Sequence, residues 1–202
     1  MATEFRGCKG LVFAEVTADT AEAYTTGEVE QLAPVAEISK TTGSDSATSY
    51  YDNVAANVIG SEGSDEVTFT IAVPSDEILA KITGRVYDAA KKMFIEAPRN
   101  NKYFAVGYVL GEIGGDAKDE RYVWRYKGQF SLPDETSATE NDGTDVNNMS
   151  LVFTGIYTTH EFTNGGGTGV AAPAKSAFKR KSDGVTQASF FAQVTTPDTN
   201  LS

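Results

Sequence analysis

The sequence predicts a mainly β domain, a β-sandwich or partly open barrel with one flanking α-helix. Three observations carry that expectation. Residues 66–73 alternate without a break, with Val67, Phe69, Ile71 and Val73 apolar and Glu66, Thr68, Thr70 and Ala72 small or polar. A period of two is a strand with one dry face and one wet face. Residues 121–132 repeat the pattern, with Tyr122, Trp124, Tyr126 and Phe130 on one side and Arg121, Arg125, Lys127, Gln129 and Ser131 on the other. Apolar residues make up only 40% of the 202, and 19 are glycine, which suits strands and turns better than a helical bundle.

The elements follow in order. LVFAEVT (11–17) reads as a first strand, and 29–39 as a second, interrupted by Pro34 and so placed at an edge or a bulge. Residues 40–65 read as a long polar loop, too long for a mere connector. After the strand at 66–73, Ser75 can cap a helix whose first turn holds Asp76 and Glu77. Ile78, Leu79, Ile82 and Val86 share its apolar face, and Gly84 is placed to end it. A short strand is expected at 92–96. Residues 102–113 and 121–132 form an antiparallel hairpin around Gly114-Gly115-Asp116. After an acidic loop at 134–146, residues 147–162 form another strand with Met149, Leu151, Phe153 and Tyr157 in phase. NGGGTGVAAPAKS is a flexible stretch, AFKRK (177–181) an edge strand, and 185–194 either a short helix anchored by Phe190, Phe191 and Val194 or the second arm of a hairpin. Residues 1–162 thus form the body, and 163–202 an insert with a closing segment.

Charge and chemistry narrow the function. The net charge is −11, and the body carries 13 bases against 26 acids. Gripping a phosphate backbone needs clustered Lys and Arg, so this balance argues against DNA binding. It suits DNA that passes without sticking. One cysteine, Cys8, excludes an intrachain disulfide framework and reads as a half-buried filler. The single histidine, His160, reads as a turn residue rather than a ligand. Gly165–Gly169 lacks the Lys-Ser/Thr of a phosphate loop, and Asp142–Asp145 lacks the later Glu of a calcium loop. No nucleophile stands with a placed base. We therefore expect no enzyme, no catalytic residue, no metal and no cofactor. The N-terminal residues form no apolar leader and no segment is long enough to span a bilayer, so no membrane role is expected and synthesis in the cytoplasm is.

Long strands, one helix, an acidic body and an extended polar segment describe an assembly subunit, because ring closure removes exposed sheet edges. Collinear segments carry a resemblance: KGLVFAEVT, VEQLAPVAEISKT, YYDNVAANVIGSEGSDEVTFTIAVPSDEILAKITG, KYFAVGYVLGEIGG, RYVWRYKGQFSLPDE, MSLVFTGIYTT and FKRKSDGVTQASFFAQV. In this order the chain resembles the major tail proteins, or tail tube proteins, of bacteriophages with long non-contractile tails. The resemblance covers nearly the whole chain and rests on pattern rather than on an active-site motif. It implies a virion tail protein whose homo-hexameric rings stack into a tube. Such a tube holds the tape-measure protein, meets tail terminator and distal tail proteins at its ends, and lets DNA pass during ejection. The alternative is a β-sandwich binding module of a virion, a decoration or receptor-binding protein.

Three sets of residues become candidates. In the 40–65 segment, Tyr50, Tyr51, Asp52, Val54 and Ile59 are placed for contact with the next ring, or to pin the segment to its own core. Glu37, Ser39, Glu66, Thr68 and Thr70 share one wet strand face, which lines the lumen or looks out to exterior solvent. Arg121, Arg125 and Lys127 form a basic stripe, read as a subunit contact or as a solvated face.

Overall fold

A computed structural model describes residues 4–51, 54–114, 117–133 and 148–200. The chain opens with β1 (Glu4–Asp19), β2 (Tyr24–Thr26), β3 (Glu30–Ala33), β4 (Val35–Tyr51) and β5 (Val54–Ile71). After α1 (Asp76–Thr83), β6 (Val86–Asp88) and β7 (Met93–Ile95) form a separate two-stranded ribbon. Then come β8 (Phe104–Gly114), β9 (Ala117–Phe130), β10 (Met149–Gly155), β11 (Ser176–Arg180) and the short α2 (Gln187–Phe191). The main sheet runs β2-β1-β8-β9-β10-β5-β4, with β3 added to β1 and β11 to β9. It stays open: among the described residues no ladder joins β4 back to β2. The fold is therefore mainly β, with one flanking helix against an unclosed sheet.

Two cores hold it. Leu11, Phe13, Val106 and Tyr108 from the first half of the sheet pack with Val67, Phe69, Ile71, Leu151 and Phe153 from the second, and Leu32 and Ile82 join them. The opposite face of β8 and β9 carries Val109, Tyr122, Trp124 and Tyr126, covered by Phe162, Ala174, Val185, Phe190 and Val194. Of the stretch read as flexible, Ala174 belongs to this cover, while residues 166–171 are exposed. Its glycines are tied by hydrogen bonds, the Gly165 amide donating to the Phe162 carbonyl and the Gly169 amide to Asn164 Oδ1, both at 2.9 Å, and the Asp198 carboxylate accepts from the Thr163 and Asn164 amides at the start of the stretch. The 185–194 segment resolves as a helix, N-capped by Thr186, whose hydroxyl accepts from the Ser189 amide.

Where local chemistry is explicit, the sequence expectation holds. Ser75 caps α1 by accepting from the Ile78 amide, and Gly84 ends it at φ +69°, where an added Cβ would lie 2.0 Å from the Asn100 carbonyl oxygen. Pro34 breaks the second strand into β3 and β4. Other expectations need correction. β5 stops at Ile71, so Val73 is exposed, and Val86 lies in the ribbon beyond the helix, exposed as well. β10 ends at Gly155, leaving Tyr157 outside the strand with its ring exposed. Phe130 does not face the same way as Trp124 but sits in the other core. The register slips between Phe104↔Gly128 and Val106↔Arg125, and the extra residue on β9 reverses its phase. Gly128 permits this, since a Cβ there would lie 2.3 Å from the Phe153 ring.

Phe69, fully buried between the halves and edge-on to Tyr108 at 5.8 Å, tests that arrangement. Phe69→Ala is expected to cost about 3–5 kcal/mol, measured as a lower urea midpoint at unchanged slope. A cost under about 1 kcal/mol would mean that the two halves do not bury this ring.

Candidate functional site

β4 and β5 do not part where the polar segment begins. Their ladder runs from Val35↔Ile71 out to Tyr51↔Val54. The residues 40–65, read from sequence as a loop, are therefore a hairpin arm. β10 covers β5 only along 65–71, so the outer part of the ribbon is paired with nothing but itself among the described residues. Ser44, Ser46, Thr48, Asn57, Gly60, Ser61 and Glu62 are all exposed. Some ten residues per strand extend past this root, a reach of about 30 Å. A register slip between Thr42 and Ser44 marks the root, where Gly43 and Gly63 lie so close that a Cβ on Gly63 would sit 3.2 Å from the Gly43 carbonyl oxygen. Of the candidates for contact, Tyr50, Tyr51, Val54 and Ile59 lie in the strands of the outer arm, with Tyr50 opposite Ala55 and Ile59 opposite Ala47. Asp52 lies outside the described residues.

A buried charge cluster fixes the root. The Asp65 carboxylate accepts from Arg125 Nη1 at 2.5 Å, and both side chains are almost fully buried. Arg125 Nε also donates to the Tyr108 hydroxyl at 3.1 Å. Lys40 stands 3.3 Å and Lys175 3.9 Å from the Asp65 carboxylate. Lys175, buried itself, donates to Glu62 at 2.7 Å and to the Gly63 carbonyl at 2.5 Å, with its ammonium 4.5 Å from the Tyr157 ring centre. Tyr157 in turn donates to Glu62 at 3.2 Å. Burial alone would raise the Asp65 carboxyl, but Arg125 and Lys40 beside it hold it below the usual carboxylate range. Lys175 does the same for Glu62.

The sequence did not single out Asp65 or Lys175. A signal for Asp65 existed, because it is in phase with Val67, Phe69 and Ile71 and so falls on the dry face one step before the apolar run. Lys175, in a Gly/Ala/Pro stretch, carried none.

Glu37, Ser39, Glu66, Thr68 and Thr70 do share a face. Glu37 is opposite Thr70, Ser39 opposite Thr68 and Thr41 opposite Glu66. On the far side, Ser150, Val152 and Thr154 of β10 extend the same polar surface, a contribution missed in the sequence. The basic stripe fares differently, because its three cations are engaged within the subunit. Arg125 is in the root cluster. Lys127 donates to Asp19 at 2.5 Å, and Asp19 also accepts from the Thr159 and His160 amides. Arg121 pairs with Glu112 and lies between the Phe5 and Phe178 rings, 5.0 and 4.4 Å from their centres. β9 is covered on both faces, so the side opposite its aromatics is not a solvated face.

His160 lies in a turn, edge-on to Phe162 with Nδ1 3.2 Å from the Ala21 carbonyl oxygen. Cys8 is half-buried, and burial raises its thiol pKa. Among the described residues no three His, Cys, Asp or Glu side chains gather as a metal would require, and no helix is long and apolar enough to cross a membrane. No protein-family model matches the chain, and no curated protein matches it in sequence.

Removing one partner of the root pair leaves a buried charge alone. Arg125→Met is therefore expected to cost about 3–5 kcal/mol. Because the Asp65 pKa is depressed on folding, its contribution is complete above the ordinary Asp value near 4 and is lost as pH falls through the lower folded value. Denaturation curves at neutral pH and at progressively lower pH should thus show the Arg125→Met deficit shrinking with acidification. A pH-independent deficit would contradict this role for the pair.

Proposed function

We propose that the chain is a structural subunit of a phage-type tail tube, assembling with copies of itself into stacked hexameric rings. The observation that carries this reading is the hairpin arm. Two-stranded ribbons are marginal in water by themselves, and this one leaves the body without a third strand while its root is fixed by a buried ion cluster. A long ribbon with free edges is a template for pairing or docking, and a neighbouring subunit supplies the surface that the body does not. The collinear resemblance to tail tube proteins supports the same reading, as does the acidic balance of the chain.

In this reading the arm bridges to the next ring, with Tyr50, Tyr51, Val54 and Ile59 as anchors. The polar face of Glu37, Ser39, Glu66, Thr68 and Thr70 lines the channel. Six copies of Glu37 and Glu66 give negative rings that repel a passing duplex. The tape-measure protein occupies the channel before DNA, and terminator and distal tail proteins close the ends. The subunit has no catalytic role, and its place is the virion tail.

Electron microscopy of the purified protein over a range of concentrations tests this, alongside a variant with residues 44–62 deleted so that Gly43 joins Gly63. The full chain should form hollow tubes or stacked rings, and the variant should remain a folded monomer. Tubes of normal length from the variant would remove the arm from assembly. A full chain that stays monomeric at every concentration would favour the binding-module reading.

A further inference from the structure

The two ends of the main sheet carry different unspent charge. β1 pairs Glu4 with Ile113 of β8 at one end and Glu15 with Phe104 near the other, so its strand axis spans the body. At the Glu4 end, Arg6, Lys118 and Lys181 line one open groove with Glu112, Asp119 and Glu120. The three acids are already engaged: Glu112 by Arg121 and Arg180, Asp119 by Ser182 through a 2.5 Å hydrogen bond, and Glu120 by Lys9 at 2.5 Å. Arg6, Lys118 and Lys181 are exposed and have no ion-pair partner among the described residues, as does Lys179 nearby on β11. Glu4, Asp119 and Asp183 are the acids at that end without an ion pair among the described residues, three against these four cations, and Asp183 accepts from the Arg180 amide. At the opposite end, Glu22, Glu28 and Glu161 are exposed and have no ion-pair partner among the described residues, while Asp19 is satisfied by Lys127. The His160 ring against the Ala21 carbonyl brings the Glu161 and Glu22 segments together there.

The arm shares the cationic end. β5 is antiparallel to β10 and β10 to β9, so β5 and β9 run the same way. Running from Asp65 back towards Val54 therefore heads in the direction that β9 takes from Gly128 back to Ala117, beside Lys118.

We infer that subunits meet head to tail, the Arg6–Lys118–Lys181 end of one copy seated on the Glu22–Glu28–Glu161 end of a second. The occupant of the cationic groove is a second copy of this chain, because that copy presents an unspent acidic surface at the far end of the same axis. Like ends repel and unlike ends attract, which fixes polarity as well as contact. A contact between two different surfaces closes into a ring only when its rotation returns to the first copy; one that joins opposite ends of a single axis stays open, so copies propagate along that axis while the arm reaches across each junction. The inference rests on the self-assembly reading and adds which faces meet.

The test is a charge swap read by sedimentation velocity and electron microscopy. One variant carries Lys118→Glu with Lys181→Glu, the other Glu22→Lys with Glu161→Lys, and all four side chains are exposed. Each variant alone should lose at least about tenfold of its polymer at a concentration where the full wild-type chain assembles. An equimolar mixture should recover assembly, because each reversed end then meets a complementary one. Wild-type assembly should weaken as salt rises from about 50 mM to about 500 mM, where screening shortens to a few Å. Variants that assemble singly like the wild type, or a mixture that does not recover, overturn the end pairing and leave the tube reading standing. A wild-type chain that is monomeric throughout overturns both.

Discussion

The ion pair between Asp65 and Arg125 is the constraint on which the rest of the structure turns. It joins the middle strand of the sheet to the strand that becomes the arm, at the residue where apolar alternation stops. Arg125 is held from below by the Tyr108 hydroxyl, and Lys40 and Lys175 add positive charge around the same carboxylate. Burying charge is costly unless partners are close and well placed. The chain meets that condition with groups from β4, β5, β8, β9 and the segment before β11, so the cluster fixes the relative positions of all of them. Lys175 extends the hold past the core by bonding Glu62 and Gly63, the first residues of the free ribbon.

Stability is distributed unevenly as a result. β8 and β9 are covered on both faces, with Trp124, Tyr122 and Tyr126 on one side and Val106, Tyr108 and Val123 on the other. The arm has a ladder of backbone hydrogen bonds and exposed Ser, Thr and Gly. Segments with few buried apolar contacts open at low free energy, whereas doubly covered strands open only with the whole domain. Charge is also spent unevenly, since Glu112 and Glu120 beside the groove are paired internally while Arg6, Lys118 and Lys181 have no ion-pair partner among the described residues.

Much of this was legible in the sequence where a local rule applied. Ser75 and Gly84 bracket α1 by capping chemistry, and Val67, Phe69 and Ile71 declare the dry face of β5. The co-facial set from Glu37 to Thr70 followed from the same period. The arm was hidden because its sequence, from Thr41 to Ser64, carries no apolar/polar alternation, and a period of two is read only where such alternation exists. Arg125 was misread because alternation reports two sides of a strand without saying that both are covered. Phe130 was misread because the bulge at Gly128 reverses phase, and Val86 because the helix ends before it. Contacts such as Lys175 with Glu62 join residues 113 positions apart, beyond any local rule.

The central claim is that the arm lacks support in the subunit and gains it from another copy. Hydrogen exchange of the backbone amides at 44–62, followed by mass spectrometry in dilute and in concentrated protein, tests it most directly. The account predicts fast exchange in dilute protein, strong protection of the same amides on assembly, and slow exchange throughout β8 and β9 in both. Arm amides as protected as those of β9 in dilute monomer, with no change on concentration, would contradict it.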